Sequence, residues 1–347
     1  MMIRKTVRVF AIALGVLMLA NASGFAGGVD RVGTATAPQL LVPVGARYMA
    51  LAGASSANAV GVEAIYWNPA GLARGSHSAA AMFSHMKYIA DISVDYLAID
   101  GNFGGFGHVG FSLKTFGFGD IEVTTADNPD GTGQLFSPTF FTLGVTYARM
   151  LIDRVAFGVT MNIVHEQIPR VGATGVAFNA GVQYLGFAGV RGLNVGLVLK
   201  NIGPSMTYNG TGLGYLGKIV GAKRPVTNIK LDAAPFEMPS IVELGLSYEY
   251  QVQDIGKLTA SYLFQNHNFA ADENRLGLEF NFRDMFFLRA GYSIALGVPS
   301  ELSYIYGPTF GAGLVQNFGG VEIALDYAYR AVDFFNSNQV FALRVGF

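Results

Sequence analysis

The sequence predicts an all-β protein, a transmembrane antiparallel β-barrel of about 14 strands with an N-terminal luminal plug. Three observations predict it: an export-type leader, period-two alternation from Gly75 to the end, and a last strand closing on Phe347. Composition agrees. Only 14% of residues are charged and the mean hydropathy is +0.36, while Gly (45 residues) and aromatics (13%) are abundant. That mixture suits tight turns and crowded pleated strands better than helices. A net charge of -1 gives no reason to expect a nucleic-acid partner. Zero Cys excludes disulfides and thiolate metal sites.

Residues 1–26 have the order of a secretory signal peptide. Arg4, Lys5 and Arg8 precede Val9–Ala20, an unbroken run of apolar residues and Gly. Gly24 and Ala26 are then placed for cleavage after Ala26. An apolar run of about a dozen residues is too short to cross the hydrocarbon core as a helix. The mature chain is therefore expected in the bacterial outer membrane, in contact with its lipid.

Residues 27–75 are too apolar for a disordered tail and lack period-two alternation. Gly45–Ala59 is rich in small residues, and Val62–Leu72 holds the single Trp, Trp67. Small residues pack closely in confined space, and a barrel of this size has a lumen to fill. The segment is read as a plug, or hatch, of short helices and turns.

Residues 76–347 are read as the barrel, with strands near 77–88, 91–100, 106–116, 138–150, 153–166, 175–187, 191–201, 239–250, 255–265, 273–282, 285–296, 307–316, 320–330 and 337–347. The thirteenth shows the pattern most clearly. Val321, Ile323, Leu325, Tyr327 and Tyr329 alternate with Glu322, Ala324, Asp326, Ala328 and Arg330. Lipid outside and polar lumen inside require that alternation. Arg149, Glu166, Lys200, Glu243, Lys257, Arg289 and Arg344 are assigned to the lumen. Tyr250, Phe282 and Tyr329 fit interfacial aromatic girdles.

Connection lengths sort into two sets. Gly101–Gly105, Leu151–Ile152, Ala188–Val190, Arg283–Asp284 and Asn317–Gly319 are short; Gly117–Ser137, Gln167–Thr174, Gly203–Met238 and Gly297–Tyr306 are longer. Short periplasmic turns, long outer loops and periplasmic termini follow, the tight Ile89–Ala90 turn being the exception. In the last strand Phe341, Leu343, Val345 and Phe347 share one face. Such an apolar terminal strand matches the signal read by barrel-assembly machinery, and pairing with the first strand removes its bare edge.

Residues 43–73 (PVGARYMALAGASSANAVGVEAIYWNPAGLA) resemble the N-terminal signature of the PorV/PorQ family, a branch of the FadL-like barrels. Gly45–Arg47, the Ala/Gly run and Tyr66–Leu72 carry the resemblance. It implies a fourteen-stranded barrel with an N-terminal hatch, of which Asn68, Pro69 and Ala70 would form the motif. FadL-like proteins pass hydrophobic molecules such as fatty acids through the barrel and out sideways. PorV-like proteins instead serve type IX secretion. Physically, Pro69 fixes its φ and pushes Asn68 away from helix, giving a stiff corner that suits a pivot or an ordinary turn.

Other motif-like strings carry no chemistry. Gly105–Gly110 fits G-x-G-x-x-G but runs from a turn into a strand. Asp127–Gly131 lacks the closing Glu of a calcium loop and makes an adequate turn alone. His77, His85, His108, His165 and His267 show no metal-ligand spacing and are read as solvated or interfacial. No catalytic constellation stands out, so no enzyme, cofactor or metal is expected. Two functions compete. One is a secretion component whose longest loop, with Lys218, Lys223, Arg224 and Lys230, meets type IX components or cargo. The other is a channel for a hydrophobic ligand, motivated by the plug and by apolar loop segments such as Leu213–Leu216 and Phe116–Phe118.

Overall fold

The computed structural model describes residues 29–218, 221, 226–298 and 304–347. The expected signal peptide, Lys223 and Arg224 lie outside these residues. The strands that close the barrel are β1 (Ala79–Lys87), β2 (Ser93–Asn102), β3 (His108–Gly117), β4 (Thr139–Ile152), β5 (Val155–Ile168), β6 (Val171–Leu185) and β7 (Leu193–Ile202). They continue with β8 (Ile241–Val252), β9 (Gly256–His267), β10 (Asp272–Phe282), β11 (Phe286–Leu296), β12 (Tyr306–Phe318), β13 (Val321–Val332) and β14 (Asn338–Gly346). Neighbours in sequence pair antiparallel, and β14 closes on β1 from Ala80↔Gly346 to Lys87↔Gln339. Period two puts each face to use: Leu276 and Leu278 are outward and exposed, while Glu279 points into the lumen and is buried.

Loop length fixes the orientation, because the two long connections, 118–138 and 203–240, leave from the same end. Each carries a short hairpin of its own, Ile121–Glu122 with Leu135–Phe136 and Gly214–Gly217 with Thr227–Lys230. The expected long loop at Gln167–Thr174 is instead a tight turn. β5 and β6 stay paired down to Ile168↔Val171, so β6 begins four residues before the alternation becomes visible.

The first described residues also depart from expectation. They lie at the outer end, where Arg31 pairs with Glu237 of the long loop at 2.9 Å and stacks on Phe269. The chain then descends through the lumen and enters β1 from the periplasmic side. Its short elements are α1 (Ala46–Met49) and α2 (Ala64–Trp67), with 3₁₀ turns at Pro38–Leu41, Gly61–Glu63 and Pro69–Arg74. Tyr48 and Tyr66 meet Trp67 edge-on, and the indole N–H donates to the Val44 carbonyl at 3.2 Å. Helices this short have no stability of their own, so the surrounding wall holds them.

The wall admits the plug through glycines at luminal positions. A Cβ at Gly158 would collide with the Pro69 backbone, at Gly181 with Asn68, and at Gly196 with the Ser56 carbonyl. Gly245, Gly291 and Gly311 face Ser56, Leu51–Ala52 and Ala50 in the same way. The girdle lets plug backbone lie directly on barrel backbone, at interior packing density.

Candidate functional site

Three layers stack in the lumen: a charged clamp, the hatch corner, and a cavity above them. The clamp begins at the Gly-Ala-Arg string. Gly45 takes φ 78 as it enters α1, and its N–H donates to Ser84 Oγ on β1 at 3.3 Å. That turn aims Arg47 at the wall. Arg47 bonds both carboxylate oxygens of Glu279 (3.2 and 3.3 Å), which also accepts from Arg289 Nε at 2.6 Å. Arg289 reaches on to Asp326 at 2.5 Å. Glu63 of the plug lies 3.8 Å from both Arg47 and Arg344, and Arg344 pairs with Glu322 at 3.2 Å. Alternating signs offset the desolvation that each buried charge alone would suffer.

The hatch corner is a fastening. Asn68 is fully buried; its amide donates to the Ser56 carbonyl (2.6 Å) and the Val182 carbonyl of β6 (3.3 Å), and its oxygen accepts from Ala70 N–H (3.1 Å). Pro69 opens the following 3₁₀ turn, where its missing N–H costs nothing. Ala70 is fully buried beside it. Gln183 repeats the grip, donating to the carbonyls of Ser56 and Ala59.

Above lies a cavity of about 420 Å³, within the range that holds small ligands. Pro38–Pro43, Tyr66 and Trp67 form its floor, and Tyr88, Phe116, Phe118 and Phe140 form one aromatic wall. The other wall is charged and paired, with Lys200–Glu243 at 2.9 Å and Arg275–Glu273 at 2.8 Å. Arg330 stacks on the Tyr306 ring at 3.8 Å, and the Tyr306 and Tyr88 hydroxyls meet at 3.0 Å.

The barrel wall is unzipped beside this cavity. β11 and β12 pair from Phe286↔Leu314 only to Gly291↔Thr309, although β11 runs on to Leu296. Pro308 has no N–H to donate there, and the register of β12 against β13 shifts between Tyr306 and Thr309. A side chain spans the split: the Tyr304 hydroxyl donates to Glu273 at 3.1 Å and lies 2.8 Å from Ser293 Oγ, whose hydroxyl can donate back to it. Burial pushes the Tyr304 phenol above its ordinary pKa, so it stays a donor.

Several sequence-derived placements change. Arg149 shares the exposed outward face of β4 with Leu143 and Val145, near the periplasmic end where a long cationic side chain reaches headgroups. Glu166, Lys200, Glu243, Arg289 and Arg344 are luminal as expected, and Lys257 sits at the periplasmic rim against Asp284. His108 and His267 are not solvated; both are buried in the lumen, beside Asp100 and in the cavity wall respectively. His85 does face outward, paired with Asp95 at 2.7 Å. No metal cluster occurs among the described residues. Phe341, Leu343, Val345 and Phe347 all lie on the outward face of the closing strand. The glycine girdle and the cavity escaped sequence reading, though luminal-phase Gly in successive strands was the available signal for the girdle.

Comparison with known proteins places this architecture. Three solved structures share the fold: the CymD monoaromatic hydrocarbon channel (TM-score 0.55, 15% identity, 88% of this chain and 98% of that one), the toluene transporter TodX of P. putida (0.54, 14%, 88% and 98%) and a Pseudomonas aeruginosa FadL homologue (0.54, 13%, 88% and 98%). No curated protein sequence matches the chain. The family model described as type IX secretion system protein PorV matches residues 26–233, more than half of the chain. Fold and family are those of outer-membrane β-barrels. With a closed fourteen-stranded wall and a plugged lumen, this chain belongs to the PorV family of outer-membrane β-barrels.

Proposed function

We propose that the protein works in type IX protein secretion, meeting secreted cargo at its outer mouth and passing it to surface attachment. The family match supports the system. The observation that carries the mode of action is the blind lumen: an open cavity faces outward above a plug gripped by glycine-lined wall. A receptor needs only a mouth, whereas a porin needs a water path. The long outer loop supplies contact surface, with Tyr215, Leu216 and Leu231 exposed around its hairpin. Met206 and Met238 of the same loop are buried against Leu40, so the hairpin alone is the part to remove. Replacing residues 212–231 with a short Gly/Ser link should abolish cargo attachment while the barrel still inserts. Normal attachment by such cells would overturn the role of the loop.

A second reading, uptake of a hydrophobic small molecule, is favoured by the aromatic cavity wall and the unzipped β11–β12 edge beside it. The neighbours described as hydrocarbon and toluene transporters fit that reading. A purified barrel that binds neither acyl nor aromatic probes would exclude it. For assembly, the outward Phe341, Leu343, Val345 and Phe347 are the residues proposed to be read by the insertion machinery. Deleting Phe347 should then lower the yield of inserted barrel.

A further inference from the structure

The periplasmic mouth differs from the rest of the lumen in its charge balance. Arg47, Arg275, Arg289 and Arg344 each face a carboxylate within 4 Å. Three further arginines converge at the periplasmic end. Arg74 ends the last turn of the plug, Arg154 lies in the β4–β5 turn, and Arg191 lies in the β6–β7 turn. With Leu185, Asn194 and Glu249 they line a cavity of about 480 Å³. Among the described residues none of the three makes an ion pair. The Arg74 guanidinium bonds only the neutral amide oxygen of Gln183, at 2.7 Å. Burial holds the Arg74 pKa below its ordinary value, as expected for a desolvated cation without a carboxylate partner.

The β6–β7 turn keeps one side of this cavity free of side chains. Gly186, Gly189 and Gly192 line it, with φ 65, 75 and 85. A Cβ at Gly189 would meet no atom within 4 Å. Three guanidinium groups against the single carboxylate of Glu249 leave two positive charges facing an open, polar space. Planar guanidinium forks match the geometry of phosphate-type and carboxylate oxyanions.

We propose that Arg74, Arg154 and Arg191 form an oxyanion-binding site at the periplasmic mouth, suited to a ligand carrying two negative charges. The cavity faces the lumen from below, so the ligand arrives from the periplasm or from an inner-leaflet headgroup reaching inward. Binding also touches the plug, because Arg74 holds Gln183, whose amide grips the carbonyls of Ser56 and Ala59. The site is independent of the secretion and uptake readings of the outer mouth.

Inorganic pyrophosphate is the probe, titrated calorimetrically into the full-length barrel in neutral detergent. Binding should weaken with added salt and fall at least about tenfold in R154Q/R191Q. Both side chains lie in exposed turns, and a heat-modifiable gel band checks that the variant is folded. In the unaltered chain, pyrophosphate should also protect Arg154 and Arg191 from phenylglyoxal, read by mass spectrometry. Equal affinity in neutral and phosphatidylglycerol-containing vesicles assigns a soluble ligand; loss in the anionic vesicles assigns the headgroup. Absence of binding at millimolar pyrophosphate, or equal binding by the folded double variant, overturns the site.

Discussion

The lower and upper halves of the lumen are built on the same strands and end in opposite states. In the lower half the inward positions are Gly, Ser and matched charges, and plug backbone lies directly on the wall. In the upper half the inward positions are Tyr, Phe, Lys, Glu and Arg, and they hold the wall apart around about 420 Å³. Small inward residues let plug backbone reach the wall, whereas large ones hold it off and leave space between. The size of the inward residue therefore decides where this barrel is shut.

Substitutions test that contrast, the largest expected effect first. E279Q leaves Arg47 and Arg289 without their shared carboxylate and should cost about 3–5 kcal/mol, read from denaturant unfolding in lipid vesicles. An unchanged midpoint would mean that the clamp does not hold the plug. G196V puts branched carbon where the Ser56 carbonyl lies and should cost about 3 kcal/mol by overpacking. If the plug is displaced instead, single-channel conductance should appear where the parent protein shows less. N68A removes three hydrogen bonds from one buried amide, a loss of about 1–3 kcal/mol, with the same conductance assay reporting loosening.

The smallest effect is expected at the rim. The hydrogen bond from Asn281, with that from Lys257, holds the Asp284 carboxyl below its ordinary pKa. Its contribution is present above the unfolded-state pKa and disappears as pH falls through the lower folded-state value. D284N should therefore lose a little stability at neutral pH and none in strong acid, and salt should shrink the difference. A D284N effect comparable with that of E279Q would erase the distinction between rim and lumen.

Much of the barrel was legible. Thirteen strands begin within two residues of where the alternation placed them; β6 does not, because Ala173, Gly175 and Ala177 give no apolar contrast across its start. The Asn68 corner was legible as stiff, but not as a fastening, since its partners Ser56 and Val182 come from the plug and from β6. His267 and His108 look like solvated strand-end residues until the lumen closes over them.

The sequence alone determined the strand count, the inward and outward faces apart from that of Arg149, and the presence of a luminal segment. Each of these follows from a local period: a strand turns its side chains over every two residues whatever it pairs with. Only the tertiary structure decided what those inward faces meet. Arg47 finding Glu279, Gly196 facing Ser56, the plug starting at the outer mouth and three arginines brought together below without an ion pair among the described residues depend on residues far apart in sequence. Closing fourteen strands around a threaded segment brings them together, and no local pattern encodes which will touch.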